Sequence, residues 1–187
     1  MKHFTRFLSL FLGAVMILTM AACGSKNTDT DTDTKTGSEK KQLVVATSPD
    51  FPPFESLDGS DIVGIEPKLM QAIADKLGME LVWEQVDFDS IIPGVQTGKY
   101  DMGMAGMTVT DERKEQVNFS DSYSTGIQVV IVKEGGKVQS LDDMGAEGVI
   151  IGTQSGTTGF TYASGDFGDE KVKGFTKTTD AVAALIN

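Results

Sequence analysis

Histidine and cysteine are almost absent from this chain. His3 and Cys23 are the single examples of their kinds, and both lie within the first 23 residues. Beyond Cys23, no Ser-His-Asp triad, thiolate nucleophile or His/Cys zinc site can be assembled from these residues. The phosphate-cradling pattern G-x-x-x-x-G-K-[ST] is also missing, so nucleotide hydrolysis has no support. Basic residues are in deficit. The chain has 16 Lys and Arg against 27 Asp and Glu, a formal net charge of −11. Such a chain is a poor partner for phosphate backbones and anionic bilayers, and no nucleic-acid partner is expected. Carboxylate-pair catalysis stays open in principle, because acids are plentiful, but abundance is not placement.

Long apolar runs are scarce too. Phe7 to Met20 is nearly all apolar after a basic start at Lys2, His3 and Arg6. It falls short of the ~20 apolar residues that span a bilayer and fits the core of a secretory signal. The run ends Leu18-Thr19-Met20-Ala21-Ala22-Cys23-Gly24. Small residues before a cysteine resemble the bacterial lipoprotein processing site, with Met20 in place of the usual leucine. The resemblance implies that Cys23 becomes a lipidated N-terminus and that the protein is exported, anchored to the outer face of the cell membrane or periplasmic. The rival reading is an uncleaved anchor or a plain signal with a chance cysteine. Residues 1–23 are thus expected to be a signal peptide. Residues 24–42, polar and carrying a repeated Asp-Thr, are expected to be a flexible tether. A Ca²⁺ site at Asp29, Asp31 and Asp33 is discounted, for the stretch lacks a turn glycine and a distal glutamate. No cofactor or metal is expected.

What remains is rich enough to fold: 40% of the chain is hydrophobic. Its organising stretch is Asp101 to Asp121, with Ala105-Gly106-Met107-Thr108-Val109-Thr110-Asp111-Glu112-Arg113 at the centre. A strand end, a hydroxyl and a guanidinium fall within nine residues. That order suits a rim gripping a small zwitterion, with a planar charged fork for a carboxylate and a carbonyl and hydroxyl for an ammonium. The alternative is that Thr110 and Asp111 cap a short surface helix and Arg113 is solvated.

The elements around it alternate. Leu43 to Thr47 reads as a buried strand, followed by a proline-stiffened loop carrying Phe51 and Phe54, one expected to face a ligand (Phe51) and one to plug the core. Pro67 opens a helix with an apolar stripe of Leu69, Met70, Ile73, Ala74 and Leu77, ended by Gly78. Leu81 to Val86 is the next strand, making a parallel crossover. Ser90 reads as the cap of a helix running to Thr97, with Phe88 just before it. Further strands are predicted at Tyr100 to Gly106, Val117 to Ser120, Gly126 to Val132 and Gly148 to Gly152. Ser124-Thr125-Gly126 reads as a crossing into a second lobe. Thr153 to Gly159 reads as a strand-to-helix anion cradle, a weak signal alone, and Thr178 to Ile186 as an amphipathic helix.

From Leu43 to Asn187 the chain resembles the extracellular polar amino-acid-binding proteins of bacterial ABC importers, of the glutamine-, histidine- and arginine-binding types. The match rests on FPPFES at Phe51 to Ser56, DFDSIIPGVQTGKYD at Asp87 to Asp101, AGMTVTDERK at Ala105 to Lys114 and GTQSGTT at Gly152 to Thr158. It implies an α/β fold of the two-lobe, type II periplasmic-binding-protein kind. Lobe 1 is placed at residues 43–124 and an incomplete lobe 2 at 125–187. It further implies that Arg113 pairs with a ligand α-carboxylate and that Thr108 touches carboxylate and ammonium. The Gly106 carbonyl accepts from the ammonium, and Phe51 and Phe88 bracket the side chain. Thr158 meets the carboxylate from lobe 2 and Gln154 lines the side-chain pocket. Two departures stand out. Ser48 occupies a position where basic- and amide-binding relatives often have an acid, with Asp50 two places on. Family members also continue past the equivalent of Asn187, so a C-terminally truncated, weakly binding chain is expected. The expected function is capture of a free polar L-amino acid for ABC permease subunits, by a monomer and without catalysis. A dehydratase-like enzyme on the same scaffold and a non-transport sensor or surface lipoprotein are the alternatives.

Overall fold

The computed structural model describes residues 41–187, which belong to one compact unit, Glu39–Asn187. Cys23, the signal segment and nearly all of the tether lie outside the described residues. The first sheet is parallel and three-stranded. Strand β1 (Gln42–Thr47) is central. The small antiparallel sheet that follows is made of β2 (Asp50–Phe51), β3 (Glu55–Asp58) and β4 (Asp61–Val63). Helix α1 (Ile65–Leu77) then leads to β5 (Glu80–Gln85), and α2 (Ile91–Gln96) leads to β6 (Met102–Gly103). β5 and β6 pair with β1 on either side, with Val44 opposite Val82 and Val45 opposite both Trp83 and Met102.

The alternation of side chains along β1 explains why a run with no polar face is stable. Leu43 and Val45 point into one cluster with Met70 and Ala74 of α1, joined by Met104. Ala46 points the other way, into a cluster with Phe88, Ile91, Tyr100 and Ala105, against which Val44 packs. A parallel strand covered on both faces needs apolar residues at every position. The α1 stripe is narrower than predicted. Met70 and Ala74 are fully buried, whereas Leu77 is 60% exposed and Leu69 lies at the edge of exposure. The helix starts two residues before Pro67, which sits at its third position, and Gly78 caps it in the left-handed region.

Three expectations are corrected. The strand predicted at Tyr100 to Gly106 shrinks to Met102–Gly103. Ser90 does not cap through its side chain, since a 3-10 turn at Phe88–Ser90 runs directly into α2 and leaves Ser90 already helical. The strands predicted at Val117 to Ser120 and Gly126 to Val132 do not form. Ile127 is 85% and Val129 75% exposed, with no ladder partner among the described residues. A β-branched run supplies propensity, but a strand requires a neighbour to bond.

After the short helix α3 (Asp111–Lys114) and this extended connection comes a second, two-stranded parallel sheet. β7 (Ile151–Gln154) pairs with β8 (Val172–Phe175), Gln154 opposite Phe175. Helix α4 (Thr158–Phe167) links them and α5 (Thr178–Ile186) follows. The helix predicted over residues 178–186 is present with those bounds, while β8 carries no predicted counterpart.

Candidate functional site

The end of β1 meets the end of β7 at Ser48 and Gln154, and Arg113 joins the segment after β6 to the turn after β7. Thr110 caps α3, its hydroxyl accepting from the Arg113 N–H at 3.2 Å, which fixes the backbone from which the side chain departs. Arg113 as a whole is buried, 8% exposed. Its Nη1 donates to the Thr108 carbonyl at 2.6 Å and its Nη2 to the Gly156 carbonyl at 2.8 Å. The Phe88 ring lies with its centroid 5.5 Å from Cζ. Burial pulls the Arg113 pKa below its ordinary value, but a guanidinium remains charged in proteins. Among the described residues the one ion pair is Lys114 with Asp111, on the surface, so no carboxylate there neutralises Arg113. Two of its five N–H donors are used on carbonyls, and the others remain for an anion.

Gly156 brings the second sheet onto this cation. Its φ is +74°, and an added Cβ would stand 2.8 Å from the Asp89 Cβ, so only glycine permits this approach. The next residues begin α4. The Thr157 hydroxyl accepts from the Phe160 N–H at 3.2 Å and donates to the Gln154 carbonyl at 2.8 Å. Thr158, buried at the first helical position, accepts from Gln128 Nε2 at 3.1 Å. A helix start beside a guanidinium is a site for a carboxylate.

A second polar group joins the halves nearby. Gln154 is buried, and its Nε2 lies 3.0 Å from the Thr176 carbonyl, 3.3 Å from Asp50 Oδ2 and 3.4 Å from the Ser48 hydroxyl. Asp50 also accepts from the Thr178 N–H at 2.7 Å and from the Ser48 hydroxyl at 3.3 Å. The Thr178 hydroxyl donates to Gln154 Oε1 at 3.1 Å. Asp50 therefore supplies the anion at this end of the site, two residues from the position the resemblance favours.

The sequence-predicted residues fall into two neighbouring groups. Arg113, Thr108, Phe88 and Thr158 gather about the cation and the start of α4, Thr108 through its carbonyl. Ser48 and Gln154 join Asp50 in the second group. Phe51, 46% exposed, stacks on Phe54 at 5.6 Å and covers Gly106 (φ +56°), where an added Cβ would be 3.0 Å from its ring. Thr108 is exposed. Sequence reasoning missed the two most deeply buried acids, Glu55 in β3 and Glu66 in the first turn of α1, which are 1% and 0% exposed. Glu66 Oε1 accepts from the Gly106 N–H at 2.9 Å and from the Tyr123 hydroxyl. Burial and the neighbouring Glu66 push Glu55 up to about 10, and burial raises Tyr123 above its usual range. No grouping of three His, Cys, Asp or Glu suited to a metal occurs among the described residues.

Two small α/β sheets thus bring a buried cation, Arg113, and an acid, Asp50, to their strand ends. The chain belongs to the bacterial extracellular solute-binding proteins, family 3, whose model matches residues 43–187. It is 38% identical over 154 residues to the arginine-binding extracellular protein ArtP of Bacillus subtilis, covering 81% of this chain and 56% of the relative. It is 33% identical to a probable histidine-binding protein of Campylobacter jejuni, over 81% of this chain and 59% of the relative. The chain thus spans little more than half the length of these relatives. An ancestral arginine-binding protein bound to arginine superimposes with a TM-score of 0.71 at 40% identity, over 79% of this chain and 66% of that one. The arginine-, lysine-, histidine-binding protein ArtJ of Geobacillus stearothermophilus gives 0.73 at 36% identity, over 79% and 63%. The fold is periplasmic-binding-protein-like, and the relatives are named as binding proteins rather than enzymes.

Proposed function

We propose that this protein captures a free L-amino acid with a cationic side chain, of the arginine or histidine kind, for an ABC importer. The observation that carries the reading is Arg113: a buried, permanently charged fork with no protein carboxylate on it among the described residues, beside the start of α4. An unneutralised cation in low dielectric costs several kcal/mol, and an incoming α-carboxylate offsets that cost. Asp50, together with Gln154 and Ser48, offers the side-chain cation its counter-charge. Phe51 and Phe88 supply faces for the flat part of such a ligand, and the Gly106 carbonyl and Thr108 hydroxyl accept from its ammonium. The names of the relatives support the cationic class. Residues 43–124 form one lobe and 125–187 part of the other, closing on the ligand as a monomer. Export with a lipid on Cys23 places the receptor at the outer face of the cell membrane, tethered through residues 24–42.

A thermal-shift and calorimetric panel of the amino acids tests this. L-Arginine, L-lysine or L-histidine should stabilise the protein, and agmatine, which lacks the carboxylate, should not. Equal binding of agmatine and arginine, or preference for an acidic amino acid, would overturn the reading. A mass shift for lipid on Cys23, lost in Cys23→Ser, checks the anchor.

A further inference from the structure

The pair of acids beneath Gly106 is a departure from ordinary burial. Glu55 and Glu66 are essentially fully buried and both lie against Gly106: Glu66 Oε1 accepts its N–H at 2.9 Å, and a Cβ added there would stand 4.0 Å from Glu55 Oε1. Both oxygens of Glu55 and Oε2 of Glu66 have no partner if both groups are taken as carboxylates. Two bare carboxylates side by side in a dry interior are not sustainable, but one shared proton turns the repulsion into a hydrogen bond. The groups facing the pair are acidic or phenolic: Asp50 from β2 acts on Glu55, and Tyr123 from the extended connection binds Glu66. The two acids are not equivalent. Glu66 sits in the first turn of the 13-residue α1, where the helix dipole favours negative charge, and receives N–H and O–H donors. Glu55 has neither advantage.

We propose that Glu55 carries the proton and Glu66 the charge, and that the pair positions Gly106 as the ammonium acceptor while tying it to the connection through Tyr123. The Gly106 N–H is pinned to Glu66 Oε1, which fixes the 105–106 peptide under the ring of Phe51. The Gly106 carbonyl, which belongs to the following peptide, departs from this pinned residue, so its aim depends on that bond. Glu66 is thereby a positioning residue that discriminates ligands by their α-ammonium without touching it. Tyr123 immediately precedes the predicted crossing at Ser124-Thr125-Gly126, so movement there is felt at Gly106 through one carboxylate. This inference deepens the proposed function and rests on Gly106 receiving the ammonium.

The test uses the full chain, with two kinds of readout. Isotope-edited infrared spectra should show a protonated carboxylic acid at neutral pH that disappears in Glu55→Gln. The Gly106 amide resonance should shift in Glu66→Gln and in Tyr123→Phe. Neither needs a ligand, so both decide the proton and positioning claims even if no amino acid binds. Titration with L-arginine and its des-amino analogue δ-guanidinovalerate supplies the functional arm. Glu66→Gln should weaken arginine at least tenfold and leave δ-guanidinovalerate within twofold. Equal losses for both ligands, an unmoved Gly106 amide, or no carboxylic acid band in the parent protein would each overturn the proposal. Failure of both ligands to bind the parent protein would instead count against the proposed function.

Discussion

Replacing Arg113 by lysine keeps the charge and removes the planar fork. In the structure the fork spends one arm on the Thr108 carbonyl and one on Gly156, which leaves three of its five N–H donors for an anion. A lysine ammonium is a point donor and cannot serve both carbonyls and a bidentate carboxylate. About two hydrogen bonds to a charged group are lost, at about 1.5–3 kcal/mol each. The expected weakening is therefore about 3–6 kcal/mol, or about 150- to 20,000-fold in Kd. Isothermal titration with L-arginine reads this directly.

The control is Arg113→Met in the ligand-free protein. It strands the Thr108 and Gly156 carbonyls at about 1–3 kcal/mol each. It also removes a desolvated cation whose burial costs several kcal/mol. These oppose one another, so the melting temperature without ligand should move little while ligand-induced stabilisation vanishes. A Lys variant with unchanged affinity would refute the fork argument. A Met variant that loses stability in step with binding would make Arg113 a structural tie and refute it differently.

Other outcomes follow from the same geometry. Gly156→Ala forces a left-handed backbone on alanine and drives its Cβ against Asp89, so stability should fall by about 1–3 kcal/mol in chemical denaturation, and ligand affinity with it. Asp50→Asn removes the charge and one of the two acceptor oxygens that serve Ser48, Gln154 and the Thr178 N–H, and should weaken basic ligands more than glutamine, as competition binding would show. Glu55 gives a pH signature. Its folded pKa is raised to about 10 from the ordinary 4.5 of a glutamate, so the native state holds the extra proton between these values. Its contribution is complete below the unfolded value and declines as pH rises toward about 10, by about 1.4 kcal/mol per pH unit. Urea denaturation across pH should show that decline flattened by one proton in Glu55→Gln.

The parts of this fold that were legible in the sequence are those set by local chemistry. The β1 run, the Met70 and Ala74 face of α1 and the left-handed cap at Gly78 each follow from a short-range pattern. The Thr110 cap that aims Arg113 is of the same kind. What was not legible depends on distant partners. Asp50 meets Gln154 across a separation of 104 residues, and no spacing rule announces that pair. Glu55 looks like a turn acid after two prolines, and Glu66 like a solvated first-turn glutamate. Only the stacking of β3 on α1 buries them together. Residues 126–132 erred in the other direction, for their composition promises a strand that needs a neighbour to exist.

The character of the contact between the sheets bears on how such a receptor would work. Both buried hydrophobic clusters belong to the first sheet and its helices. The second sheet meets it at the site through hydrogen bonds: Arg113 to Gly156, Gln154 to Asp50, and Thr178 to Asp50. Water can replace bonds of this kind at small net cost, about 0.5–1.5 kcal/mol each for ordinary ones. Separation of the halves would rehydrate Arg113, whose burial is unfavourable while it lacks an anion. A ligand carboxylate reverses that balance, because it neutralises the cation only where both the guanidinium and the start of α4 surround it. A ligand shifts an equilibrium by its differential affinity for the two states. On the proposed function that differential would be set by one buried charge, which would make closure contingent on a carboxylate and couple recognition to shape.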